Sequence, residues 1–241
     1  MKKLLYTMIL FAGLTISCDK DYLIDGGTHK AEVNMSTVDY LKANAQQRFR
    51  MTLMIYEKAG MLDLLNTKGA TVFMPSDYAL NRYAIQMRDE LRRLHNDDNY
   101  PFNLDSLVNH IDEYKDSLKM YIIPESINRG DVGNGKQAKS LLGNDMFIYL
   151  SQSKLYTGDS EQVPPLPNSK PWFLYYRRII NGLDPTDKEL NSNDPNKDVS
   201  DVCQTSGIIT TTGILHALDD DHNLFFSKRN KPGAQESPIL K

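Results

Sequence analysis

Residues 71–80 read TVFMPSDYAL, and this short stretch restricts the fold more than any other in the chain. ATVFM, residues 70–74, is rich in β-branched and aromatic side chains, as a buried strand is. Pro75 ends that strand because it has no N–H to give to a ladder. Ser76 or Asp77 then accepts a hydrogen bond from the exposed N–H groups at the start of a new helix. Ala79, Leu80 and Tyr83 supply that helix with an apolar face. The run thus reads as a strand that passes directly into a helix. A catalytic reading of Ser76 needs a base beside it and a G-x-S-x-G elbow around it, and no such elbow is present. Capping needs only the residues in place.

The rest of the chain alternates in the same way. Ser36 opens a helix, with Asp39 three residues on as a carboxylate version of the capping box. Phe49, Leu53 and Tyr56 mark a second helix that stops at Ala59-Gly60. MLDLL, 61–65, is a short third turn. The helix after Pro75 continues through MRDELRRL and ends in a polar loop, 95–103. Leu107, Ile111, Tyr114 and Leu118 predict one helix from Leu104 to Met120. YIIPESI, 121–127, is a strand broken by Pro124. Residues 141–151 are a turn and then a strand with Met146, Ile148 and Leu150 on one face. WFLYYRRII, 172–180, is a further strand ending at Asn181-Gly182. Residues 184–200 read as a polar surface excursion. GIITTTGILHALD, 207–219, is the last β-rich stretch, in which Gly213 marks a turn or a close approach of two backbones.

The N-terminus reads as a targeting signal. Lys2 and Lys3 precede an apolar run too short to span a bilayer comfortably, and the run ends LTISC. Ser17-Cys18 resembles the lipobox of bacterial lipoproteins, in which residues 1–17 are removed and the cysteine is acylated. Thr15 departs from the usual leucine. Acyl chains on Cys18 hold a protein to a membrane at about 0.8 kcal/mol per buried CH₂. DKDY, 19–22, resembles the export tag of surface-exposed lipoproteins, and residues 18–35 read as a tether. Without residues 1–17 the chain has 26 basic and 31 acidic residues, about −5 net, so no basic excess favours nucleic acid. With Cys18 acylated, Cys203 has no disulfide partner and reads as a small buried hydrophobe.

Two stretches together resemble a known family. TVFMPSDYAL is similar to the first motif of fasciclin-like domains, and TGILHALD, 212–219, is similar to the second, with Gly213, His216 and Asp219 matching and Thr212 in place of asparagine. SLKMYIIPESI occupies the place of the intermediate segment, where Met120-Tyr121 replaces the Tyr-His pair linked with adhesion in animal members. The resemblance implies an α+β fold, a single wedge built on a small β-sandwich flanked by helices. It spans 36–226, with insertions at about 86–105 and 155–200 and a tail from 227 to 241. Pro75, Ser76, Asp77, Gly213, His216 and Asp219 are then structural motif residues, with His216 packed and hydrogen-bonded.

Four consecutive potential ligands, Asp219, Asp220, Asp221 and His222, lack the glycine of a calcium loop and read as a solvated acidic turn, so no metal or cofactor is expected. The insert around VPPLP, 163–167, leads into Trp172, Phe173, Tyr175 and Tyr176. Trp172, Tyr175 and Tyr176 are the candidate ligand contacts, because an exposed ring can stack on a sugar or on a protein surface. Alternation puts Trp172 and Tyr176 on one face of the strand and Tyr175 on the other. The functional expectation is a non-enzymatic, outer-membrane, surface-displayed module that binds a glycan or a surface protein, an adhesive or an accessory to polysaccharide uptake. The competing classes are a glycan-acting hydrolase, for which Asp112 and Glu113 or Asp219 with His216 are the candidate groups though neither pair has a motif, and a fimbria-like subunit with an open strand edge.

Overall fold

The structure, a computed structural model, describes residues 31–44, 48–152, 172–183 and 196–227. The signal and the lipid-attachment residue Cys18 lie outside the described residues, as do most of the tether and the tail.

The described residues form one mixed sheet path flanked by helices. Its strands are β1 (Ala31–Glu32), β2 (Ala70–Met74), β3 (Ile122–Ile123), β4 (Lys136–Lys139), β5 (Asp145–Gln152), β6 (Trp172–Arg178), β7 (Val199–Ile209) and β8 (Gly213–Leu218). They run in the order β3-β2-β8-β7-β6-β5-β4, with β1 beside β7. β2 and β8 are parallel, as are β1 and β7, and the remaining pairs are antiparallel. β7 turns one end of the sheet onto the other. Val199–Val202 pair with β6, Cys203–Ile209 pair with β8, and register shifts fall between Cys203 and Ile208. Bulges of this kind let one strand serve two layers. The layers meet where Phe73 of β2 stacks on Tyr176 of β6, ring centroids 3.8 Å apart and 3° from parallel. This is the sandwich core that the motif pair implies.

The helices are α1 (Thr37–Ala43), α2 (Arg50–Lys58), α3 (Leu62–Leu65), α4 (Asp77–His95), α5 (Leu104–Asn109) and α6 (Ile111–Tyr114). Ser36 caps α1 by accepting from Asp39 N at 3.1 Å, as the sequence pattern predicts. The charged extension of α4 is helical to His95, so about half of the range 86–105 prolongs a framework helix.

Some expectations give way. The helix from Leu104 to Met120 divides into α5, α6 and a 3₁₀ helix, Lys115–Tyr121. Buried phenols take the carbonyls of this segment. Tyr56 donates to Leu118 O at 3.0 Å, Tyr176 to Met120 O at 2.5 Å, and Tyr114 to Leu107 O. The apolar positions that suggested one helix still face inward, since Leu107, Ile111, Tyr114 and Leu118 are all buried. Ala31 and Glu32, at the end of the tether range, add a short strand to β7. The range 155–200 contains β6, which lies between β5 and β7 and buries Leu174 and Tyr176. Part of this apparent insertion is therefore framework.

Candidate functional site

Ser76 and Asp77 divide the capping work. Ser76, buried, accepts from Ala79 N at 3.4 Å and starts α4. Asp77 turns the other way. Its carboxylate accepts from Met51 N at 3.1 Å, Thr52 N at 2.9 Å and Thr52 Oγ1 at 3.1 Å. Phe49, at the N-cap of α2, makes no side-chain cap bond, so Asp77 caps that helix from 26 residues away. This pins α2 to the strand–helix junction. Asp77→Ala is expected to cost about 2 kcal/mol, at the upper end for a cap, because three donors lose one acceptor. Urea denaturation with an unchanged m-value checks it.

His216 is fully buried on β8, where the β7 bulge meets the core. Its Nδ1 accepts from Gly207 N at 3.0 Å, and its Nε2–H donates to Ile127 O at 3.1 Å. Phe73 stacks against its ring at 4.9 Å. Both nitrogens are occupied, so the imidazole neither ligates a metal nor acts as a base. Burial holds its pKa down, from the ordinary 6.5 to about 4. Because the unfolded chain takes up a proton first, the stability present above pH 6.5 is lost as the pH falls from about 6.5 to about 4. The full loss is about 3 kcal/mol at 1.36 kcal/mol per unit. His216→Gln should flatten stability against pH across that window, measured by denaturation at stepped pH.

Gly213 opposes Ala70 in the parallel β2–β8 ladder. Beside it the turn before β8 is a cluster of hydroxyls. Thr37 and Thr210 Oγ1 lie 2.8 Å apart, Thr37 N donates to Thr212 Oγ1 at 3.0 Å, and Gly213 N donates to Thr210 Oγ1 at 3.0 Å. Thr212 thus fixes the start of α1 to the second motif.

The acidic turn is engaged on the surface. Asp219 Oδ1 accepts from Asp221 N at 2.8 Å, Asp220 pairs with Arg48, and Asp221 pairs with Arg82. Among the described residues no group of three or more His, Cys, Asp or Glu is placed to hold a metal ion. His222 departs from the expected solvated turn. It is buried, with Nδ1 2.8 Å from Asp201 Oδ2 and Nε2 2.7 Å from the Tyr121 hydroxyl. Sequence reasoning missed this relay because its members are 101 and 21 residues apart. Asp112 lies on the surface, where Lys115 holds its carboxyl below the usual range by hydrogen bond and charge. Cys203 is buried and free, and burial pushes its thiol well up.

The three candidate aromatics do not converge. Tyr176 is sealed in the core between Phe73 and Phe226, so it leaves the set of ligand contacts. Trp172 shares its face but lies at the open end of β6, 52% exposed, opposite Gln152. Arg129 donates to the carbonyl of Trp172 and to Ser206 Oγ, which fixes the backbone that carries the indole. Tyr175 is half-buried on the opposite face. It belongs to a row in which Phe147 and Tyr149 are 5.4 Å apart and Tyr149 and Tyr175 5.1 Å, with Arg177 4.8 Å over the Tyr149 ring. Phe147 lies across Gly135, where a Cβ would meet the ring at 2.1 Å. A surface cavity of about 470 Å³ opens between β4 and residues 179–183, lined by Ala138, Lys139, Ile179, Ile180 and Leu183 among others, away from both motifs.

Residues 47–166 match the family model of the fasciclin domain. Among solved structures, a FAS1 domain pair from the insect cell adhesion molecule fasciclin I is similar, at 13% identity and a TM-score of 0.41. The similarity covers 73% of this chain and 44% of that one. The comparison with curated proteins gave no match. Fasciclin domains are typically non-catalytic binding modules. The chain is a fasciclin domain protein, with the α+β fold of that family in a single domain.

Proposed function

We propose that this protein is a non-enzymatic binding module, lipid-anchored through Cys18 at the outer membrane and displayed on the surface. There it captures a glycan or a surface protein. The observation that carries this reading is how the polar groups are used. Ser76, Asp77 and His216 direct their side chains into framework hydrogen bonds, while among the described residues two large aromatics are more than half exposed, Tyr78 in the first motif and Trp172, whose backbone is pinned by Arg129. An indole face offers apolar area with little entropy to lose, which suits stacking on the apolar face of a pyranose. The half-buried row of Phe147, Tyr149 and Tyr175 faces the other way and forms a separate aromatic surface. The lipid confines the module near a membrane-bound partner and raises its effective concentration. An accessory role in polysaccharide capture fits both features.

A glycan array probed with the wild type and with Trp172→Ala tests the ligand. Signal on defined polysaccharides that falls at least roughly tenfold in the variant is expected, in line with about 1.4 kcal/mol for a lost stacking contact. Binding that is unchanged by the substitution would move the site away from Trp172. An array silent for both proteins would point to a protein partner. Metabolic labelling with palmitate tests the anchor, which predicts incorporation that disappears in Cys18→Ala.

A further inference from the structure

We infer that residues 222–227, which follow β8 and the acidic turn that Arg48 and Arg82 hold, form a strap that opens as its own unit, with the Asp201–His222–Tyr121 relay as its catch. The strap lies outside the ladder of the sheet. His222, Phe226 and Ser227 donate their backbone N–H groups to Asp219 O, Asn223 O and Leu224 O, bonds that are local to the strap and the turn before it. The N–H of Phe225 reaches out of the strap and is donated to the Tyr121 hydroxyl at 2.6 Å. The relay then has one self-consistent direction. Phe225 N–H is given to Tyr121, the Tyr121 O–H to His222 Nε2, and the His222 Nδ1–H to the Asp201 carboxylate. Asp201 is on β7, so the catch is bolted to the strand that joins the two layers.

The backbone held by this catch is under strain. Phe225 and Phe226 have φ of 60° and 53°, the left-handed region that bulky side chains rarely adopt. Such strain persists only where the surroundings over-determine it. Here the surroundings are rings. Phe225 meets Tyr83 edge-on at 5.5 Å and Tyr114 at 5.6 Å, while Phe226 meets Tyr176 at 5.5 Å and His222 at 5.1 Å. Opening relieves the two strained residues, leaves the β2–β8 and β7–β8 ladders intact, and uncovers an aromatic recess walled by Tyr83, Tyr114, Tyr121 and Tyr176. Segments held by few ladder bonds open at lower free energy than the whole domain.

Hydrogen exchange read by mass spectrometry on the full-length protein tests this at near-neutral pH. Peptides covering 222–227 should exchange faster than those covering 70–74 and 213–218. Tyr121→Phe deletes one hydroxyl and keeps the ring, and it should speed exchange of the strap by roughly tenfold. Asp77→Ala weakens the framework but touches nothing in the strap. It should speed the sheet peptides and leave the strap rate unchanged. Strap and sheet peptides exchanging at one rate, and moving together in both variants, would overturn the proposal. A strap rate indifferent to Tyr121→Phe would overturn the relay as its catch.

Discussion

Gly213→Ala is expected to destabilise the domain by about 3 kcal/mol or more, the upper range of overpacking, although only one methyl is added. A Cβ at this position would sit 2.1 Å from the carbonyl oxygen of Ala70. Neither side can yield cheaply. The obstacle is backbone rather than the end of a flexible side chain, and Ala70 is the register partner of Gly213 in the parallel ladder. Relief requires β2 and β8 to separate at the point where the two motifs join. Gly143→Ala is the contrast. Gly143 has φ of 91° with nothing within 4 Å of a built Cβ, so alanine there meets only the conformational cost, about 1 kcal/mol. Chemical denaturation of the pair separates steric closeness from backbone conformation.

Tyr176→Ala is expected to cost about 4 kcal/mol, within the range for deleting a buried aromatic ring. It empties the space against Phe73 and leaves Met120 O without the hydroxyl it accepts from. Tyr176→Phe keeps the ring and loses only that bond, about 1 kcal/mol. Trp172→Ala, four residues earlier on the same face, should change stability by no more than about 0.5 kcal/mol. Thermal unfolding of the three variants therefore divides β6 into a structural end and an open end. If Trp172→Ala were as costly as Tyr176→Ala, the indole would be a core residue and could not serve as a contact surface.

The parts of the fold that were legible in the sequence are those with short-range signatures. Thr71 to Tyr83 encode strand, break, cap and apolar helix face in one run, and the structure follows it. Ser36 with Asp39, and Met146 with Ile148, are signals of the same kind. Illegible features depend on residues distant in sequence. Asp77 is the first residue of α4, yet its carboxylate caps α2. β4, KQAK, is a short edge strand whose covered side carries Lys136 and Ala138, so its alternating burial has a single apolar residue to show for it. The first half of β7 carries polar residues because its two ends belong to different layers, so a single period does not run through it. At the candidate site, alternation along β6 correctly separated Tyr175 from Trp172 and Tyr176. It could not say that the face is sealed at Tyr176 and open at Trp172, because that depends on Phe73 and Phe226. The His222 relay had no local signal at all.

The two motifs are paired framework with their polar groups used internally, and the nitrogen NMR spectrum of the His216 ring tests this most directly. Its geometry predicts a neutral ring with the proton on Nε2, an amide from Gly207 bonded to Nδ1, and no titration until the pH approaches about 4. A ring that titrates near 6.5, or one whose Nδ1 is free to take up a proton or a metal, would contradict it.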